Sequence, residues 1–136
     1  MPDRVSTFLM FDGVAEQAMN FYVSLFDGSI THVERYGPGE NGAEGLVRNA
    51  AFELQGHRLI CFDSPVKHAF TFTPSISLFV ECRSEDELDR AFRQLSEGGA
   101  VLMELGNYGF SRKFGWTNDR FGVSWQLKLP ERPTSA

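Results

Sequence analysis

Two kinds of spacing alternate along the chain. Thr7 to Phe11 (TFLMF) is a short apolar run that reads as a strand, broken by Asp12 and Gly13. Val14, Ala18, Phe21 and Leu25 then recur at helical intervals and predict a helix from about Val14 to Phe26. Gly28 stands where a left-handed residue would end it. Ser29 to Tyr36 alternates as a strand, and Pro38 to Gly45 (PGENGAEG) has too little apolar matter to be anything but a loop. Leu46 to Leu54 and His57 to Asp63 read as two strands joined by a tight turn at Gln55 and Gly56.

After a connector bounded by Pro65 and Pro74, the same succession returns. Ser75 to Cys82 (SISLFVEC) predicts a strand. Ser84 and Glu87 form a capping box, and Leu88, Ala91, Phe92 and Leu95 share one helical face. Gly98 and Gly99 stop that helix. Val101 to Leu105, a less regular strand near Tyr108 to Trp116, and Val123 to Leu129 complete the set, with a turn at Asn118, Asp119 and Gly122 before the last strand. The chain is thus a twofold repeat of βαβββ, an α+β arrangement. Module one covers about 5–63, a connector 64–74 and module two about 75–129, expected to form a single domain over residues 1–136. Gly56 matches Gly122 before the last strand of each module. Alternation makes Thr7, Ser75 and Ser77 candidates for equivalent positions on the first strands.

Composition narrows the partners. A chain of 136 residues with 42% hydrophobic content suits one core, and thirteen phenylalanines supply bulk for it. Thirteen Lys and Arg are scattered against eighteen Asp and Glu, a formal charge of -5, so the basic patch that nucleic acid requires is absent. No apolar run is long enough to span a bilayer, and MPDRVSTF does not read as a signal peptide. These features predict a cytoplasmic protein, in which Cys61 and Cys82, both inside apolar runs, are reduced core residues.

Four segments carry a family resemblance: FLMFDGVAEQAMNFYVSLF (Phe8 to Phe26), ISLFVEC (Ile76 to Cys82), LSEGG (Leu95 to Gly99) and GWTNDRFGVSWQL (Gly115 to Leu127). Through them the chain resembles the PhnB-like branch of the glyoxalase, bleomycin-resistance and dioxygenase superfamily, the vicinal oxygen chelate proteins. Members of this branch are often filed as demethylubiquinone methyltransferase. The resemblance implies two βαβββ modules forming half-open mixed sheets around a concave pocket, helices on the outer faces, and a homodimer. In metal-using relatives, side chains on the first and last strands of each module hold one divalent cation. Those places match Thr7, Ile60, Ser75 or else Ser77, and Gln126.

Here the residues depart from the pattern. Transition-metal sites use His, Cys and carboxylate ligands, whereas these positions offer hydroxyls, an alkyl group and one amide. A structural zinc site is worth roughly 10–16 kcal/mol, out of reach of such donors, so no tightly bound metal is expected. No cofactor is expected either. A methyltransferase would need a glycine-rich turn after its first strand to hold S-adenosylmethionine, and only Asp12 and Gly13 stand there.

The candidate ligand-binding residues are Thr7, Arg48, Ser75, Ser77, Trp116 and Gln126. An inward Arg48 would suit an anionic substrate; the alternative is a solvated strand face. Trp116 is a candidate for lining the pocket and Trp125 for the core. Gln126 either faces the pocket or ties down a neighbouring strand, since a buried amide needs partners. Asp119 is read as a turn former, and His57 and Cys61 as facing the helices, opposite Ile60. The function expected is binding of an unidentified small organic molecule; the alternative is a lyase, isomerase or dioxygenase using a weakly held divalent cation.

Overall fold

The computed structural model describes residues 1–131. It divides into two compact units, Met1–Ala69 and a second from Phe70 onward. The first contains β1 (Thr7–Phe11), α1 (Ala15–Leu25), β2 (Ser29–Arg35), β3 (Val47–Leu54) and β4 (His57–Asp63). The second contains β5 (Leu78–Glu81), α2 (Glu85–Ser96), β6 (Ala100–Gly106), β7 (Lys113–Asn118) and β8 (Ser124–Leu129). Each unit is therefore βαβββ, and each has one mixed sheet, ordered β1-β4-β3-β2 and β5-β8-β7-β6. The first strand runs parallel to the last, and the other pairs are antiparallel. Among the described residues no helix is long and apolar enough to cross a membrane.

Each helix covers one face of its own sheet. In the first unit Ala15, Ala18, Met19 and Tyr22 of α1 are buried against β3 and β4, where Ala50, Phe52, Leu59 and Cys61 are fully buried. In the second, Leu88, Ala91, Phe92 and Leu95 of α2 pack towards β7 and β8, above Trp125 and Leu127. The opposite face of each sheet carries no helix of its own unit, and most of its side chains are half-buried or exposed. That asymmetry is what makes a site possible there.

The helix ends are built differently. Ser84 Oγ accepts from the Glu87 amide (3.1 Å), and the Glu87 carboxylate reaches back to the Arg83 amide (3.0 Å), one residue before the position that a capping box specifies. α1 has Val14 at its N-cap and no side-chain cap of its own. Its first amides are satisfied from 48 residues away: Asp63, at the end of β4 and 1% exposed, accepts from Ala15 N (2.9 Å) and Gly13 N (2.8 Å) with Oδ1, and from Val47 N (3.0 Å) with Oδ2. One carboxylate thus joins the start of α1, the start of β3 and the end of β4.

Three expectations need correction. The left-handed residue after α1 is Asp27 (φ 53), not Gly28. Gly28 is required for a different reason: a Cβ there would run into the Glu53 carbonyl oxygen, as one at Gly99 would into that of Asn118. The strand expected from Ser75 begins only at Leu78, because Pro74 and Ser75 form a turn. The irregular strand expected over Tyr108 to Trp116 is a loop followed by β7; Tyr108 and Phe110 stack on each other (6.3 Å) and meet Phe114 edge-on.

The two hairpins match in the way that Gly56 and Gly122 suggest, both with positive φ (83 and 92). Four residues after each, the register aligns the last strand with the first: Phe8 lies beside Ile60, and Phe79 beside Gln126. Ile60 and Gln126 are equivalent positions. At Asn118 to Val123 the Gly122 amide donates to the Asp119 carbonyl and the Asp119 amide to the Val123 carbonyl, both at 2.9 Å.

Candidate functional site

On the helix-free face of the second sheet, alternation brings together Phe79 of β5, Ser124 and Gln126 of β8, and Trp116 of β7, with Ser77 just before β5. These polar groups form a chain. The Trp116 indole N–H donates to Ser124 Oγ (2.8 Å), Ser124 and Ser77 share a hydroxyl hydrogen bond (2.7 Å), and the Gln126 amide donates to Ser77 Oγ (3.2 Å). Two serines own two hydroxyl protons, and the bond between them uses one. Whichever serine donates, one hydroxyl proton is left, together with the second N–H and the carbonyl oxygen of Gln126. The face therefore offers donors and an acceptor, all neutral.

Around this pair the surroundings are aromatic. Phe79 is 55% exposed, and Phe114, on the same face as Trp116, is covered by Phe110 (4.9 Å) and Tyr108 (6.1 Å). The nearest ammonium, on Lys128 two residues along from Gln126, lies over the Phe79 ring (5.8 Å) and beside Glu81 (3.7 Å). Amide, aliphatic hydroxyl and indole groups do not ionise near neutral pH. The arrangement is made to hold a neutral polar group against aromatic rings.

The six candidate residues divide accordingly. Ser77, Trp116 and Gln126 come together, joined by Ser124, which is 2% exposed and which sequence reasoning missed. Of the two roles open to Gln126, the amide ties β8 to the start of β5 through Ser77, and its side chain lies on the helix-free side of the sheet. Ser75 lies in the preceding turn, exposed and bonded to Thr73 (2.7 Å), away from this group. Thr7 also falls elsewhere: its register partner is Leu59, so it shares the helix-side face with Leu9 and Phe11, and its hydroxyl meets His57 Nε2 (2.8 Å). Position 6, not 7, is the module-one counterpart of Ser77. Arg48 is engaged by two carboxylates, Glu34 and Glu40 (2.7 Å to Glu40). Bonds from His32 and Arg48 hold the Glu34 carboxyl below the usual carboxylate range.

The first sheet carries a cavity of its own on its helix-free face, about 360 Å³, lined by Arg4, His32, Asn49, Glu53, Arg58 and Ile60 among others. Arg58 Nε donates to Ser6 Oγ (2.8 Å), and His32 bonds Glu34 (2.6 Å). Sequence reasoning placed Ile60 on this face, and Arg58, two residues earlier on the same strand, was readable by the same alternation.

The positions matched to a metal do not fit one. Ile60 has no donor atom, Thr7 faces the helix side, and Ser77 and Gln126 bond to each other. Among the described residues no three His, Cys, Asp or Glu side chains are grouped so as to hold an ion. Both cysteines are free and buried. Burial, and then the Asp63 charge, push the Cys61 thiol up to about 12; burial and Glu87 do the same for Cys82, also to about 12. At neutral pH both remain thiols, so neither is a ready nucleophile or ligand.

Comparison with known proteins agrees with the fold. Residues 3–128 match the family model described as 3-demethylubiquinone-9 3-methyltransferase. A Bacillus cereus PhnB protein given the same description is 54% identical, with 93% of this chain and 99% of that chain covered and a TM-score of 0.91. Protein PA1353 from Pseudomonas aeruginosa is 25% identical, covering 95% of this chain and 98% of that one, with a TM-score of 0.84. The fosfomycin resistance protein FosX from Listeria monocytogenes, in a variant complexed with Mn(II) and a dihydroxypropylphosphonic acid, shares the fold (TM-score 0.64, 94% and 90% covered) at 11% identity. The chain has no match among curated proteins.

Proposed function

Because this chain belongs to the PhnB-like family described as 3-demethylubiquinone-9 3-methyltransferase, with the two-module vicinal oxygen chelate fold, we propose that it binds a small neutral organic molecule on the helix-free face of the second module, without a tightly bound metal. The observation that carries this reading is the hydrogen-bonded chain Trp116, Ser124, Ser77, Gln126, set among aromatic rings and holding no titratable group. A ligand with an aromatic body and adjacent carbonyl and hydroxyl functions matches the spare donors and the Gln126 carbonyl oxygen. The family's descriptive name does not transfer as an activity: β1 is followed by Asp12, Gly13 and α1, which offers no glycine-rich turn for a methyl donor.

Titrating the chain with a series of neutral aromatic ketones and phenols, read by tryptophan fluorescence, tests this. Saturable quenching is expected, lost in Trp116→Phe. Gln126→Leu should weaken binding about tenfold, the loss expected when a buried hydrogen-bonding group is left unpaired. Unchanged affinity in that variant with lowered stability would make the amide purely structural. Quenching by none of the series would refute the reading.

The two modules are proposed to act as one domain in a cytoplasmic homodimer. Support for association comes from β1 and β5, edge strands of their sheets, which present Phe8 (59% exposed) and Phe79 at matched register positions. Sedimentation equilibrium should give twice the chain mass of 15.3 kDa; a value near that of a single chain at micromolar concentration would refute the dimer. Support for the cytoplasm comes from the two free thiols, and a periplasmic or secreted fraction containing the protein would refute that placement.

A further inference from the structure

The cavity on the first sheet is distinct in chemistry from the neutral face of the second. Two guanidinium groups, Arg4 and Arg58, line it against one carboxylate, Glu53, with Asn49 beside them and Ala51 and Ile60 as the apolar part of the wall. Elsewhere in this unit the arginines of the sheet are neutralised: Arg35 pairs with Glu16 (2.7 Å), and Arg48 with Glu34 and Glu40. Arg4 and Arg58 have no carboxylate at ion-pair distance among the described residues. Arg58 sits directly opposite Glu53 in the β3–β4 register, yet its Nε is committed to Ser6, on the β1 side. The remaining N–H groups of that guanidinium, and the Glu53 carboxylate, are left to face the cavity independently.

We infer that this cavity is a binding site for a small organic monocarboxylate carrying a hydrogen-bond donor next to the acid, as in a 2-hydroxy acid. The guanidinium fork of Arg58 takes the carboxylate, since planar bidentate pairing is what arginine does best with such a group. Arg4 adds the second positive charge. Glu53 accepts the donor and, being negative, disfavours a second negative charge on the ligand. About 360 Å³ lies at the low end of small-molecule sites, which limits the body to a ring or short chain against Ala51 and Ile60. This inference is independent of the neutral ligand proposed for the second module.

The test uses mandelate and its uncharged isostere mandelamide, titrated into the full chain at low salt and followed by amide NMR shifts. Mandelate should bind saturably and move the amides of Asn49, Glu53 and Arg58, with mandelamide at least about tenfold weaker, as expected for loss of a charge-assisted bidentate pair. Arg58→Gln should lower mandelate affinity about tenfold and Arg4→Gln a few-fold, the latter effect fading as salt rises. Glu53→Gln should admit a dicarboxylate that the unaltered chain rejects. If Arg58→Gln fails to fold, Arg58→Lys keeps the charge without the fork and should still bind mandelate more weakly. Equal affinity for acid and amide, shifts confined to the second module, no saturable binding, or full affinity in the Arg58 variants would each overturn the inference. The tryptophan titration of the second module stands or falls separately.

Discussion

Asp63→Ala should destabilise the chain by about 3–5 kcal/mol, read as a lowered midpoint in urea denaturation. The carboxylate is buried and accepts three backbone amides, from Gly13, Ala15 and Val47. Alanine has no acceptor, and each abandoned buried donor costs about 1–3 kcal/mol. The attraction between the charge and the start of α1 is lost as well, about 0.3–1 kcal/mol in ordinary settings. Water entering the space recovers part of the sum. Asp63→Asn keeps the volume and one acceptor oxygen but points an N–H₂ group at a donor, so it should fall between the two. A change below about 1 kcal/mol for alanine would mean that the three amides find other partners.

Asp119→Ala is expected to cost about 2–4 kcal/mol and to disturb ligand binding as well as stability. Its Oδ1 accepts from Phe121 N (2.8 Å) and Val123 N (3.1 Å), and its Oδ2 from the Trp125 indole N–H (2.9 Å). The hairpin so held carries Trp116 on one arm and Ser124 and Gln126 on the other. The variant should therefore lose near-ultraviolet circular dichroism from its tryptophans in step with its affinity for aromatic ketones. Retained affinity with a lowered midpoint would show that the arms keep their register without the carboxylate.

The contrast between these two aspartates shows what a sequence can disclose. Asp119 acts within six residues of itself, so its role as a turn former is visible in NDRFG. Asp63 acts across 48 residues on a helix that has no cap of its own, and nothing local marks it. The helices and hairpins were legible because their spacing of 3.6 or 2 is written in apolar positions, and Gly56 and Gly122 fixed the equivalence of Ile60 with Gln126. The face of Thr7 was not legible. TFLMF is apolar on both faces, Phe8 and Met10 on one and Leu9 and Phe11 on the other, so alternation gives no phase, and only pairing with β4 assigns it. Ser75 was misplaced because apolar Ile76 extended the strand on paper past the turn that Pro74 starts. Ser124 was overlooked because a serine beside Trp125 reads as filler until the strand is seen to place it under Trp116.

FosX, which shares the fold, is described as complexed with Mn(II); in this chain the positions matched to a metal offer hydroxyls, an alkyl group and one amide. The most direct measurement is the aromatic ketone titration on chain dialysed against chelator, repeated with Mn²⁺ or Zn²⁺ added. The account predicts saturable tryptophan quenching in the metal-free protein, with a Kd changed by less than about twofold, under 0.5 kcal/mol, when either ion is present. Binding that appears only after metal is restored would contradict it.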